Sequence, residues 1–383
     1  NFHWFYGLKF FAQTNADGGR CVALSGTDNK FLSCEFASSL YRSNAARNEL
    51  WDCRTTGDSG DRANNAGDTI WINGPDNRII RLDQRGSTCG HSAFMVQNPA
   101  GTLTVTGTEI FDCDIQNAWA GGLQLLVGSG SSHVHWNRLT LAGTLANPNG
   151  YPVGSREGCE MASADNIFEF NTITGGAGSG LSMQNLIFGG MPEYCQRNLV
   201  RHNTITANGN MGLAITAAQG VNAQTACVNN IITNNIIYGN STNGVGVNDG
   251  ATGYFNGVYY AIVLGQYNAN SGNGGTAWAN DQFYGNVIAN NVAAVSTSDT
   301  PTFMLLIRTA DQGNNKTYTA AQLAAAEPLS INNLLATNPM FVSSTDFRLQ
   351  AGSPAINAGK ITAGINYLSS APDIGVYEFG GTD

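Results

Sequence analysis

The side chains that could do chemistry in this chain form two sets. The first is Arg81, Asp83, Asp112, Asp114, His135, Arg138, Glu169, Arg201 and His202. An imidazole ordinarily titrates in the range a general base needs, which makes His135 or His202 the candidate base, and Arg138 or Arg201 could neutralise a carboxylate beside the proton to be removed. The second is Trp71, Asn73, Gln124, Glu160, Ser182 and Gln184, with Arg156 and Glu157 just before Glu160. Here an indole offers a stacking face and amides offer directional hydrogen bonds. Glu160 with Glu157, Glu193 or Asp249 would supply the paired carboxyl groups of acid–base hydrolysis. Each set also has a plainer reading: alternating charges on a solvated face, and an outward Glu that only meets water.

These residues lie far apart in the chain, so a repeating element must bring them together. A nine-residue unit recurs as HVHWNRLTL from His133, NIFEFNTIT from Asn166, NLVRHNTIT from Asn198, NIITNNIIY from Asn230 and DQFYGNVIA from Asp281. Self-similarity at a period of roughly 20–50 residues marks a stacked-coil architecture. The alternation of Val, Ile, Phe and Thr, broken by Gly and Asn, makes each unit short strands joined by tight turns. The expected fold is an all-β, single-stranded, right-handed parallel β-helix of about ten coils. Equivalent positions then stack at roughly 4.8 Å, and register becomes contact.

The register predicts an inward ladder of Asn137, Asn171, Asn203, Asn235 and Asn286, whose amides pair with one another and with turn backbone. In the first half Cys34, Cys53, Leu82 and Cys113 take that position. A second short strand precedes each unit, as in TIWIN from Thr69, GLQLLV from Gly122 and GLSMQN from Gly180. No linker interrupts the pattern, so residues 1–340 are expected to form the solenoid and 341–383 a capping tail. TAAQLAAAE from Thr319, with a capping Thr and a terminating Pro328, predicts a short C-terminal helix over the open end.

Cys34 with Cys53, and Cys195 with Cys227, fall at matching positions of adjacent coils, close enough for disulfides; small buried thiols are the alternative. Such bridges would imply an oxidising compartment. Charged residues are only 12% of the chain and Gly numbers 47, which suits a secreted or cell-surface protein. The first residue is Asn1 and not Met, and FHWFYGLKFF already reads as strand, as expected once a leader is removed. No apolar run is long enough to span a membrane, and the net charge of −9 opposes nucleic-acid binding. Long turns, LIFGGMPEYCQ from Leu186 and AAQGVNAQTAC from Ala217, place Met191, Glu193 and Tyr194 among the expected substrate contacts. No protein metal is expected. DCD at 112–114 and GDSGD at 57–61 offer hard oxygens that Ca²⁺ could take, without EF-hand spacing. HVH at 133–135 has the look of a metal pair, but this reading sets only one imidazole outside, so zinc is not expected.

The closing stretch NPMFVSSTDFRLQAGSPAINAG, then APDIGVYEFG, together with the repeats, resembles the pectate-lyase-like superfamily of secreted bacterial right-handed parallel β-helix proteins. That resemblance covers nearly the whole chain and implies a polysaccharide partner, since such proteins are often polysaccharide lyases, glycoside hydrolases, epimerases or phage tailspikes. The chain departs from the polygalacturonase pattern: the NTD, DD, GHG and RIK series is absent, and GHS at 90–92 matches only part of one motif. Lys9, Lys30, Lys316 and Lys360 lie away from the middle coils, which leaves the lysine base of some β-helix lyases without a counterpart. The resulting expectation is extracellular cleavage of a polysaccharide by hydrolysis or elimination. A non-catalytic carbohydrate-binding or adhesive solenoid, or a structural subunit of a surface layer or filament, is the alternative.

Overall fold

The structure, a computed structural model, describes residues 2–11, 20–37, 40–56, 69–85, 92–98, 104–116, 121–140, 157–185, 187–188, 191–192, 195–217, 227–240, 262–266, 282–284, 287–290, 303–307, 316–319, 333–335 and 337–381. Its strands form three long sheets, each taking in general one strand from every coil, so that neighbours are distant in sequence. Sheet A has ten strands, from Trp4–Tyr6 to Gln282–Tyr284; sheet B has eleven, from Lys9–Phe11 to Leu334–Leu335. Sheet C also has eleven, beginning at Arg20–Leu24 and ending with the antiparallel pair Phe303–Ile307 and Lys316–Thr319. All other pairings within these three sheets are parallel, as in Val134 beside Phe168 and Phe168 beside Val200. The chain is therefore a three-sided parallel β-helix. The helix expected from Thr319 lies outside the described residues beyond Thr319 itself, which ends a strand.

Alternation builds the core. The central residue of each sheet A strand from Lys30–Leu32 to Ile231–Thr233 points inward, giving a buried column through Phe31, Leu50, Ile79, Ile110, Val134, Phe168, Val200 and Ile232. Ile115, Leu139, Ile173, Ile205 and Ile237 do the same on sheet B, and Phe94, Leu123, Cys159, Leu181 and Leu213 on sheet C. Flanking positions point outward, where the two candidate sets sit.

The corners explain the asparagines. Between sheets A and B one residue of each coil takes the left-handed conformation, among them Asp112, Trp136, Phe170, His202 and Asn234, with φ from 52° to 57°. The next residue turns inward and is the ladder position: Asn137 Nδ2 donates to Asn171 Oδ1 at 2.9 Å, Asn171 to Asn203 at 3.1 Å, and Asn203 to Asn235 at 2.9 Å. Asn286 lies outside the described residues. Two further ladders follow the other corners: Asn166, Asn198 and Asn230 on one, Asn208 and Asn240 on the other. Each amide satisfies a neighbour that burial would otherwise leave unpaired. At the entry to sheet C the coils approach so closely that a Cβ on Gly180 would lie 2.8 Å from the Gly212 carbonyl oxygen.

The two expected disulfides are not formed. Cys34, Cys53, Cys195 and Cys227 are free, buried thiols. Cys34 Sγ donates to the carbonyls of Phe5 and Leu32, and Cys53 Sγ to those of Phe31 and Trp51, at 3.3–3.5 Å. In-register strands give parallel Cβ vectors at about the sheet spacing, whereas a bridge needs Cβ atoms roughly 3.5–4.5 Å apart and turned toward each other. Burial pushes the Cys53 thiol up to about 12, so it stays protonated. These cysteines lend no support to an oxidising compartment.

After the last strand of sheet B the chain turns back along the flank of the solenoid. Leu349, Ala355 and Ile374 pack on Ile236. Asn234 Nδ2 donates to Lys360 O and Asn234 Oδ1 accepts from Lys360 N, both at 2.8 Å, while Arg201 donates to Ala363 O at 3.0 Å.

Candidate active site

The Glu160 line on sheet C is closed. Glu160 is 4% exposed; Gln124 Nε2 donates to one carboxylate oxygen, Gln184 Nε2 to the other at 2.5 Å, and Ser92 Oγ to Gln124 Oε1. Ser182, the register partner of Glu160, is buried too. Trp71 is half-buried, with the Arg42 guanidinium 4.1 Å from its ring centre and Met95, Leu126 and Ala162 around it. Asn73 donates to Asn44 at 3.4 Å, and Glu157 is half-buried before the strand. Arg156, Glu193, Tyr194 and Asp249 lie outside the described residues. This line forms a satisfied amide–carboxylate network, with no second ionisable group on Glu160 among the described residues.

Sheet A is different. His133 and His135 both point outward, because residues two apart on a strand share a face. The expectation that only one would do so is corrected. The repeat is also offset by one residue there: Ser132, not His133, matches Asn166, and His133 pairs with Ile167. The two imidazoles stack, ring centres 3.9 Å apart and 10° from parallel. One rung below, Glu109 faces His133 in register and its Oε1 lies 3.3 Å from His135 Nε2. One rung above, Glu169 faces His135 and its Oε1 lies 2.9 Å from His133 Nε2. Arg78 Nε holds the other oxygen of Glu109 at 2.6 Å, and Arg201 Nε that of Glu169 at 2.5 Å. The result is a row, Arg78, Glu109, stacked His135 and His133, Glu169, Arg201.

Its electrostatics follow from those contacts. Burial opposes ionisation of Glu109, but the Arg78 guanidinium and His135 outweigh it and hold the carboxyl below its ordinary range. Glu169 behaves likewise, with His133 and Arg201 outweighing burial. Burial, helped by the neighbouring His133, pushes the His135 imidazole down despite Glu109. Two carboxylates are held ionised around an imidazole held neutral. With Glu109 accepting from Nε2–H, Nδ1 is the basic nitrogen of His135.

Beside this row lies a cleft that the sequence alone did not reveal. The corner residues Trp136 and Phe170 stack at 4.6 Å and 5°, and Phe170 stacks on His202 at 5.1 Å. A bulky aromatic in the left-handed region is an outlier that costs of order 1–3 kcal/mol. The C-terminal tail passes over this floor and encloses about 810 Å³ between Trp136, Phe170, Phe111 and Asp112 on one side and Tyr367, Tyr377 and Glu378 on the other. Trp136 remains 43% exposed. Phe111 stacks on His135 at 4.6 Å and so joins cleft to row. A smaller adjoining hollow of about 270 Å³ is lined by Trp136, Phe170, Arg138, Asp346 and Arg348. Arg138 is exposed and has no ion-pair partner among the described residues. Burial raises Glu378 above the usual carboxylate range.

Other members of the first set are spent elsewhere. His202 is fully buried beneath the tail, its Nε2 accepting from Asn234 Nδ2 at 3.0 Å, and burial pushes it down to about 4. Arg81 pairs with Asp52 through two nitrogens, at 2.6 and 2.9 Å. Asp83 meets Arg54 and Arg85, and Asp114 meets Arg85 and Gln116, so DCD presents no open oxygen cluster. GDSGD lies outside the described residues. Only His135, Glu169 and Arg201 of that set share the row, with Arg138 and Asp112 at the cleft.

No family model matches this chain, and no curated protein sequence does. Solved structures do match it. The A-module of mannuronan C-5 epimerase AlgE4 from Azotobacter vinelandii superposes with a TM-score of 0.54 at 16% identity, over 80% of this chain and 82% of that one. Pectate lyase Pel9A gives 0.42 at 14% identity, over 98% and 87%. The AlgE6 A-module, also from Azotobacter vinelandii, gives 0.42 at 15%, over 80% and 79%. At these identities the AlgE4 likeness establishes the parallel β-helix fold and nothing finer.

Proposed function

We propose that this β-helix acts on an acidic polysaccharide laid across Trp136 and Phe170, with His135 as the base that removes the proton next to a uronate carboxyl group. The observation that carries this reading is a neutral imidazole, braced by an ionised carboxylate, at the edge of an aromatic-floored cleft. Aromatic faces suit the apolar faces of sugar rings. Arg138 is placed to neutralise the substrate carboxylate, since Arg78 and Arg201 are committed to Glu109 and Glu169. The His135 lone pair takes the C5 proton and the electron pair delocalises into the carboxyl group. Expulsion of the C4 oxygen then breaks the chain and leaves a C4–C5 double bond. Proton return from water to the opposite face would instead invert C5. A fold shared with a mannuronan C-5 epimerase module is compatible with either outcome.

Glu378 favours a second reading. Its raised carboxyl lines the same cleft as Asp112, and a glycosidase uses two carboxyl groups, one of them a proton donor. Incubation with uronate-rich and neutral polysaccharides separates the two. Ultraviolet absorbance of unsaturated ends, or deuterium uptake at C5 from heavy water, is the expected result. New reducing ends from a neutral polysaccharide, lost in Glu378→Gln and retained in His135→Ala, would overturn it. A secreted or cell-surface setting fits such a substrate.

A further inference from the structure

We propose that Glu109, His133 and His135 form a binding site for a borderline transition-metal dication of the Zn²⁺ or Co²⁺ class. This goes beyond the polysaccharide reading and does not depend on it. The three side chains each offer one ligand atom, and those atoms lie within 4.8 Å of one another. Zn²⁺ takes imidazole nitrogen at roughly 2.0–2.1 Å and carboxylate oxygen at roughly 2.0–2.2 Å, and small χ rotations of these partly exposed side chains close the gap. Both imidazoles leave one strand on the same face, and Glu109 lies beside His133 in the register of the next strand, so the backbone fixes the set.

The surroundings suit a metal. Arg78 occupies Glu109 Oε2, leaving Oε1 turned toward His135. An outer-shell bond of that kind orients a metal-binding carboxylate. Glu169 lies at 2.9 Å from His133 Nε2 and can act as an acceptor behind His133. Two imidazoles and a carboxylate favour Zn²⁺, Co²⁺ or Ni²⁺ over Ca²⁺, which prefers six to eight oxygens. Ligation of His135 would also remove it as a base, so occupancy and the proposed proton transfer exclude each other.

The test is calorimetric titration of the full chain with Zn²⁺, and visible spectroscopy with Co²⁺, in the absence of any polysaccharide. One equivalent should bind, with ligand-field bands of nitrogen and oxygen coordination. His133→Ala, His135→Ala and Glu109→Gln should each weaken binding by about 10- to 100-fold or more, with thermal melting used to verify folding. His133→Gln and His135→Gln offer milder versions should the alanine variants melt early. Trp136→Ala, which impairs the cleft, should bind metal as wild type does, so failure of the polysaccharide reading leaves this one standing. Absence of binding at millimolar Zn²⁺, unchanged affinity in the folded double-histidine variant, or thiolate-to-cobalt charge-transfer bands would overturn the proposal.

Discussion

On sheet C the outward column through Gln124, Glu160 and Ser182 ends in amides, with each oxygen of Glu160 answered by a glutamine. On sheet A the column through Glu109, His133, His135 and Glu169 ends in charge, each carboxylate held by an arginine and facing an imidazole. The coil spacing is the same; the difference is what the partners can exchange. A glutamine amide has no proton to give up at ordinary pH, so Glu160 has no partner in the first column with which to exchange one. The second contains groups that titrate, and it adjoins a cleft with an open aromatic floor. Burial of polar groups thus serves structure on one face and leaves chemistry available on the other.

The sharpest way to break this contrast is kinetic. His135→Ala should lower turnover of a uronate polysaccharide by about 10²- to 10⁴-fold, while Glu160→Gln leaves it within a few-fold; the reverse order would move the active site to sheet C. Stability gives the next test. Arg201 and Glu169 are both nearly buried, and Arg201→Met strands the carboxylate, so chemical denaturation should show a loss of about 3–5 kcal/mol.

Acid should separate the faces next. His202 binds a proton more readily unfolded than folded, its folded value being about 4. Its contribution is therefore intact above an unfolded value of roughly 6.5 and is lost as pH falls toward 4. Denaturation between pH 7 and pH 4 should show about 3 kcal/mol less loss in His202→Gln, which keeps an acceptor for Asn234, than in wild type. Glu109 and Glu169, held low, add to the acid sensitivity in the same sense, over a lower window. The smallest effect is on binding: Trp136→Ala should weaken oligosaccharide affinity by about 0.5–1.5 kcal/mol, measured by titration calorimetry, and Trp71→Ala, whose ring Arg42 already covers, should not.

Much of the architecture was legible in the sequence because a repeat converts spacing into stacking. Asn171, Asn203 and Asn235 could be placed over one another from the chain alone, and they are. The ladder of Asn208 and Asn240 is harder to read: a glycine takes over at Gly176 on one side, and on the other Asn290 aligns with Asn240 only across a register shift. The histidine pair was missed for a different reason: residues one apart on a strand face opposite ways, whereas His133 and His135, two apart, share a face. Val134 between them takes the inward position, which leaves both imidazoles outside. The cysteine register was right and the chemistry inferred from it was not: alignment brings side chains alongside each other without turning them together. The cleft was illegible for another reason. It depends on residues 364–378 folding back onto coils more than 160 positions earlier, which no periodicity encodes. The exposed Trp136 ahead of a ladder asparagine was the available hint.

The returning tail also changes how the molecule should respond to force. A solenoid whose rungs touch only their neighbours can be unwound from an end one coil at a time. Here residues 360–378 are fastened to Asn234, to Arg201 and over Phe170 and Trp136, in effect a splint laid across several rungs. A pull on the C-terminus loads that splint first, and the coils beneath it begin to unwind only after it has peeled away.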